Sequence, residues 1–321
     1  MELRALGNSG LLVSQISLGT MTWGRDTDIH EARDQFNIYY SAGGRFIDTA
    51  DVYSDGVSEE IVGEFVRDHP DVVVSSKAGS VRTARKRDAS RAHLLGALDN
   101  SLRRLRRTHI DVWHMHAWDP YTPIEETLAA ADSAISSGKV RYLGISNYSG
   151  WQLTQAATLQ QVGSPYPIVS AQMEYSLLQR GIEREVIPAA RALGVGVMAW
   201  SPLGRGVLTG KYRHGTPADS RGATSHFASF VSTYLDDKSR AVVDAVCTAA
   251  EGLGLHPIDV ALAWLTSRPQ VSSLVVGART AAQLRVVLNA TDVAVPPEIL
   301  DALTSVSELD RGYPEFGWNQ Q

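Results

Sequence analysis

The sequence predicts a (β/α)8 barrel of the TIM type, with an N-terminal β-hairpin and a long loop after the seventh strand, in one domain over residues 1–321. Three observations predict it. Short apolar runs recur with a beat of about 28 residues, the length of one strand–helix unit. Helical patterns with recognisable ends alternate with those runs, as a parallel sheet with crossover helices requires. No Gly-x-Gly-x-x-Gly follows any run, which disfavours the rival fold, an open doubly wound sheet.

The elements follow in order. Glu2-Leu3-Arg4-Ala5-Leu6-Gly7 and Leu11-Leu12-Val13 read as the arms of a hairpin that closes the barrel floor. The carboxyl ends of eight strands fall near Thr20, Asp48, Ser76, His116, Ser146, Gln172, Trp200 and Val276. Thr122-Pro123-Ile124-Glu125 reads as a capping box with proline at the first helical position, and Gly138 ends that helix. Glu183 to Gly194 and Asp237 to Gly254 read as helices, with Pro188 expected to kink the first. The interval from Trp200 to Val276 breaks the beat. Its Gly-, Ser- and Thr-rich stretch from Ser201 to about Asp236 is too long for an ordinary connection and reads as a functional loop.

The bulk properties narrow the class. With 321 residues, 44% hydrophobic and 20% charged, the chain has a globular composition, and its net charge of −5 argues against nucleic acid as a main partner. Arg82, Arg85, Lys86, Arg87 and Arg91, then Arg103, Arg104, Arg106 and Arg107, form a basic stretch without interleaved aromatics, which reads as a solvated helix face or a subunit contact. Met1-Glu2-Leu3-Arg4 turns polar at once, no apolar run approaches the ~20 residues of a membrane span, and Cys247 is the sole cysteine. These features point to a reducing cytoplasm, with no membrane partner, and they admit a homo-oligomer.

Four residues carry the chemistry. Asp48, Lys77 and His116 lie at strand ends, and Tyr53 follows Asp48 by five positions. Each has a bland reading alone: a helix cap, a snorkelling lysine, a satisfied core histidine, a loop aromatic. Together, at one mouth of one barrel, they make an acid–base site, since barrel active sites lie at the carboxyl ends of the strands. A phenol with an ordinary pKa of about 10 is a poor acid at neutral pH. Lys77 is expected to lower that value for Tyr53, with Asp48 as the lysine's counter-charge, while His116 donates to a substrate carbonyl. His114 shares a strand face with His116, which keeps a metal alternative open, although no third ligand has suitable spacing. A Schiff base on Lys77 is a further alternative.

In order along the chain, Phe46-Ile47-Asp48-Thr49-Ala50-Asp51-Val52-Tyr53, Lys77, Asp111-Val112-Trp113-His114-Met115-His116, Gly144-Ile145-Ser146-Asn147, Ala171-Gln172-Met173-Glu174-Tyr175 and Trp200-Ser201-Pro202-Leu203-Gly204-Arg205-Gly206 resemble the motifs of the aldo-keto reductase family. The last segment is similar to the bacterial and potassium-channel β-subunit-like branch. The resemblance runs from about Leu6 to Leu288. It implies a carbonyl reductase with a nicotinamide cofactor, NADP(H), and a small carbonyl substrate. It also implies roles for residues. Ser146, Asn147 and Gln172 match positions that bond the carboxamide, and Trp200 matches the aromatic that stacks on the nicotinamide. Ser201, Leu203, Gly206 and Lys211 match the segment over the pyrophosphate, and Gly277, Arg279 and Gln283 match the grip on the adenosine end. Thr20, Met21 and Asp48 join that set. Arg279, with its planar donor fork, favours NADPH over NADH. Family members often carry Asn where this chain has Val287, which puts one adenine contact in doubt. The branch also allows a second function, a cofactor-sensing regulatory subunit with only slow redox activity. Trp23, Tyr53, His116 and Trp118 are the expected substrate pocket, with Met21 and Tyr121 beside it and Phe227, Phe230, Tyr234, Phe316 and Trp318 closing it.

Overall fold

The computed structural model describes residues 1–81, 85–218, 220–224, 227–290, 293–310 and 312–313. Two antiparallel strands open the chain, β1 (Leu3–Ala5) and β2 (Leu12–Ser14), paired Leu3 to Ser14 and Ala5 to Leu12. Eight parallel strands follow: β3 (Ile16–Gly19), β4 (Phe46–Asp48), β5 (Val73–Ala78), β6 (Ile110–Met115), β7 (Val140–Ser146), β8 (Ile168–Glu174), β9 (Gly196–Trp200) and β10 (Val271–Val276). They pair in chain order, and β10 returns to β3 through Leu274↔Ile16 and Val276↔Leu18, which closes the barrel. The expected barrel, hairpin and long loop after the seventh barrel strand are all present.

Helices cover the outside: α1 (Ile29–Ser41), α2 (Val57–Val66), α3 (Arg91–Leu105), α4 (Ile124–Ser136), α5 (Gly150–Gly163) and α6 (Val186–Leu193). After β9 come α7 (Ala228–Ser232), α8 (Asp237–Leu253) and α9 (Pro257–Thr266), and after β10 come α10 (Ala281–Asn289) and α11 (Pro297–Val306). The broken beat is thereby explained, because two full helices and the long loop share one interval. Local chemistry sets the ends. Asp236 accepts the Ser239 N–H to start α8, and Gly254, at φ +66°, lets the chain turn left-handed after it.

Two helix expectations need correction. The helix expected from Glu183 starts at Val186, so Pro188 sits in its first turn, where a missing N–H breaks no intrahelical bond and no kink follows. Glu183 instead accepts from Arg180 and Tyr175. The Thr122 hydroxyl does not cap α4. It donates to Asp119, whose carboxylate also gathers the Ala89 and Tyr121 N–H groups. An ionised acceptor wins the hydroxyl because charge-assisted bonds are the stronger ones.

The strands bury one face outward under the helices and one face inward. Ile47, Val74, Leu143 and Ala171 pack outward with Leu98, Ala131 and Leu153 of the helices. Inside, Phe46, Val112, Val169, Met198 and Val275 form the apolar lower barrel, plugged by Leu6 and Val13 of the hairpin. Gly7 makes that plug fit. Its φ is +58°, and an added Cβ would press on Val169 O and lie 2.7 Å from Gly194 O. Gly7→Ala is therefore expected to lower stability by about 2 kcal/mol, read as an earlier urea midpoint with an unchanged slope. Among the described residues, no helix is long and apolar enough to cross a membrane. Arg82, Phe316 and Trp318 lie outside the described residues.

Candidate active site

The ends of the second, third and fourth barrel strands bring the acid–base group together. Asp48 ends β4, and Lys77 lies on β5, both almost fully buried, with Lys77 Nζ 2.7 Å from Asp48 Oδ2. The ammonium donates further to Thr49 O at 2.8 Å and to the Tyr53 hydroxyl at 3.3 Å. All three hydrogens of the lysine thus have acceptors, as a desolvated cation needs. Tyr53 leaves the barrel top in a tight turn where Ser54 and Asp55 adopt left-handed φ of 49° and 56° and Gly56 reaches 94°. That reversal carries the chain from the end of β4 into α2 within a few residues and aims the phenol back at Lys77.

The other oxygen of Asp48 is equally committed. Oδ1 accepts from Ser75 Oγ at 3.0 Å and from Gln172 Nε2 at 2.8 Å. Ser75 has one hydroxyl proton, given to Asp48, so at its 3.1 Å contact with His114 the ring Nδ1–H must be the donor. The neutral ring then uses Nε2 to accept from Ser170 Oγ at 3.0 Å. Burial, followed by the Lys77 and His116 fields, holds His114 well below its ordinary pKa. Gly144 leaves room for this ring inside the barrel, since a Cβ there would run into it. Both nitrogens of His114 are spoken for, which leaves it a structural polar residue in the barrel interior.

His116 follows β6 and lies edge-on to Tyr53, with ring centroids 6.1 Å apart. Burial, with the Lys77 and Arg87 charges, pushes its pKa down to about 3, so the ring is neutral over the physiological range. Its Nδ1 is buried without a partner. His116 also lines the cavity, so with the ring proton on Nε2 the neutral imidazole can donate into it.

The expected tuning of Tyr53 requires correction. Burial raises the phenol above its ordinary pKa, and the Lys77 charge and hydrogen bond only pull part of the way back. Desolvation penalises a phenolate in a closed site more than a single cation compensates. Lys77 itself is raised: burial lowers it, but Asp48 and Tyr53 together outweigh that. The ammonium is therefore fixed as a charge, and the phenol is fixed as an acid.

A cavity of about 560 Å³ runs from this group across the barrel mouth, within the usual size of a small-molecule site. Every residue assigned to the cofactor from sequence lines it, from Ser146, Asn147, Gln172 and Trp200 beside the acid–base group to Gly277, Arg279 and Gln283 at the far end. Asn147, at φ 57°, donates to His116 O and Ser146 Oγ and accepts from Trp200 Nε1 at 3.1 Å, which fixes the indole plane as a half-exposed wall. Lys211 and Arg279 line the cavity beyond that wall, and Gly206, at φ 92°, gives the chain close approach between them. Arg279 N–H is held by Gln283 at 3.0 Å at the start of α10. A flat apolar wall near the phenol and two cations farther along suit an extended ligand with one planar ring and several phosphates. The donor set fits a phosphorylated dinucleotide, which Trp200, Asn147, Lys211 and Arg279 would hold.

The substrate pocket is less well matched. Tyr53 and His116 line the cavity, but Trp23 does not. Trp23 is fully buried, bonded to Gln35 and packed edge-on to Phe65 between α1 and α2. Its apolar area gains more from that helix interface than from the mouth. Trp118 is also outside the cavity lining and packs edge-on to Tyr148 and Trp151 at 5.3 and 5.2 Å. Met21 and Phe230 do line it, while Tyr121 is 67% exposed and Tyr234 is buried against Glu174. Val287 lines the far end together with Ile258, giving that end an apolar surface.

Three ion pairs were not foreseen. Arg205 forms a two-pronged pair with Glu174 at 2.8 and 2.7 Å, donates to Phe230 O and stacks 3.7 Å from the Phe230 ring. It thereby staples the long loop to the end of β8. The only sequence hint was an acid just past a strand end facing an arginine in a glycine-rich turn. Arg104, assigned to a solvated face, instead reaches inward to the fully buried Glu59 at 2.6 Å. Arg107 likewise pairs with Asp111 at 3.2 Å.

Comparison with known proteins agrees with this geometry. The family model described as "Aldo/keto reductase family" matches residues 15–308. A "Probable voltage-gated potassium channel subunit beta" of Oryza sativa subsp. japonica is 37% identical over 317 residues, which cover 95% of this chain and 96% of that protein. A protein of the same description in Arabidopsis thaliana is 35% identical, over 98% of this chain and 99% of that protein. The "Uncharacterized oxidoreductase YrpG" of Bacillus subtilis (strain 168) is 34% identical, over 95% of this chain and 96% of that protein. Match, barrel and acid–base group together make this chain a member of the aldo/keto reductase family.

Proposed function

We propose that the protein is an NADPH-dependent oxidoreductase that reduces an aldehyde or ketone to an alcohol, with Tyr53 giving the proton. One observation carries the reading: the Tyr53 hydroxyl, 3.3 Å from a buried ammonium that Asp48 locks at 2.7 Å, opens on a cavity lined at its other end by Arg279. The bound cofactor would supply the hydride to the carbonyl carbon. Tyr53 supplies the proton to the carbonyl oxygen, and the phenolate left behind is stabilised by the fixed charge of Lys77. Neutral His116, donating from Nε2, orients the oxygen and shares its growing charge. Trp200 excludes water from one side, and Asn147 holds both Trp200 and the His116 strand end in place. Arg279 favours the phosphorylated form of the dinucleotide. The partner is a small carbonyl compound, and the reading admits a homo-oligomer; the setting is the cytoplasm, within the single domain 1–321.

The Oryza and Arabidopsis relatives, by their description, support a second reading: a cofactor-sensing regulatory subunit with slow redox turnover. A panel of aldehydes and ketones followed by NADPH oxidation separates the two. Turnover near ~10 per second on some compound is the expected result for the enzyme. Turnover far below about one per second on all of them, beside tight NADPH binding, would establish the sensor instead.

A further inference from the structure

Behind Tyr53, three carboxyl groups share two cations. Asp48 has Lys77 at 2.7 Å. Glu59, fully buried on α2, has Arg104 of α3 at 2.6 Å and accepts from Ser76 Oγ at 2.5 Å. Gly56 makes the second pair possible, because a Cβ there would sit 2.7 Å from the Arg104 side chain. The third carboxyl is Asp51. Its N–H donates to Lys77 O at 3.1 Å, which ties it beside the lysine strand, and its Oδ1 is buried without any hydrogen-bond partner.

The charges count out unevenly. Each cation is already matched by a carboxylate in direct contact, so an ionised Asp51 would be an uncompensated negative charge with one oxygen sealed from water. Such a group takes up a proton instead. The surroundings agree. Burial and the Glu59 charge push the Asp51 carboxyl up to about 7, against the opposing pull of Arg104, the Val52 N–H and Lys77. Its charge also reaches the phenol, since an ionised Asp51 makes Tyr53 harder to ionise.

We propose that Asp51 is a positioning residue: its neutral carboxyl keeps the charge around Lys77 balanced, and loss of its proton makes Tyr53 a weaker acid. This rests on the reductase reading for its consequence, a fall in carbonyl reduction as pH rises through the Asp51 titration. Its physical content does not. The charge assignment and the coupling to Tyr53 are properties of the cofactor-free protein.

The test uses wild type, Asp51→Asn and Tyr53→Phe, labelled with carbon-13 at the aspartate carboxyls and tyrosine ring carbons, without cofactor. One aspartate signal is expected to titrate near neutral pH and to be missing in Asp51→Asn, and the Tyr53 signal should titrate at lower pH in that variant. Thermal stability gives a second readout. A raised carboxyl pKa costs the fold nothing below the unfolded value and progressively more above it, so Asp51→Asn should gain melting temperature over wild type from pH 5 to pH 8. A purely structural role would give a pH-independent difference. Should Asp51→Asn fail to fold, Glu59→Gln substitutes for it and should move the near-neutral aspartate signal to lower pH. With a reducible carbonyl in hand, the fall of kcat/KM through neutral pH should flatten in Asp51→Asn. All aspartates titrating below about pH 5, or a Tyr53 signal indifferent to Asp51, would overturn the proposal. A shifted Tyr53 signal with no carbonyl reduced would overturn the reductase reading and leave the Asp51 coupling standing.

Discussion

Tyr53→Phe should reduce carbonyl turnover by about 10²- to 10⁴-fold, the usual contribution of a positioned general acid, while NADPH affinity stays within about threefold. The substitution removes one oxygen and its 3.3 Å contact with Lys77 and leaves the ring in place against His116. Lys77 keeps Asp48 and Thr49 O, so the ammonium remains paired and stability should change by about 1 kcal/mol or less. Steady-state kinetics beside cofactor titration by Trp200 fluorescence quenching reads both quantities. Equal losses of turnover and of cofactor binding would remove Tyr53 from the role of acid and make it a binding residue.

Asp48→Ala should have the largest effect on stability. It strands the Lys77 ammonium in a site where only 1% of the side chain is exposed, and breaking a buried pair from one side costs about 3–5 kcal/mol. It also frees Gln172 Nε2 and Ser75 Oγ, two further buried donors. The pH dependence follows from the lysine. In the wild type its folded pKa lies above the unfolded value, so its contribution is fully present below that value and is lost only as pH climbs through the raised pKa. Without Asp48, burial is opposed only by Tyr53 and is expected to depress the lysine, so the variant regains stability as pH rises toward 10 and the proton leaves. The gap between wild type and Asp48→Ala, measured by urea unfolding, should therefore be widest near neutral pH and narrow by pH 10. A pH-independent gap would mean that Lys77 finds another counter-charge. Asp48→Asn, which keeps the Gln172 contact geometry, should show the same narrowing from a smaller loss.

Much of this was legible in the chain. Strand positions came from apolar runs and helix ends from Gly138, Gly194 and Gly254, because both depend on residues within one or two turns of each other. The tetrad could be read because a barrel puts every strand's carboxyl end at one mouth, whatever the loops do. Where the reading failed, the deciding partner lay far away in sequence. Trp23 looked like a mouth residue until Gln35 and Phe65 claimed it. The Thr122 hydroxyl is the local exception: it fitted a capping box, but Asp119, three positions earlier, offers a charged acceptor. Arg104 looked solvated until Glu59, 45 positions earlier, met it behind the barrel wall.

The sequence by itself determined the order of strands and helices, the hairpin plug and the identity of the four polar groups that meet at the barrel mouth. Periodicity and capping are short-range properties and survive in the linear chain. Only the tertiary structure decided the electrostatics: the phenol raised by burial, the histidine held neutral, the Arg205–Glu174 staple, and the third carboxyl that two cations cannot balance. Those quantities depend on burial and on distances between residues tens of positions apart. Charge and desolvation are set by what surrounds a group in space, and the fold alone supplies those surroundings.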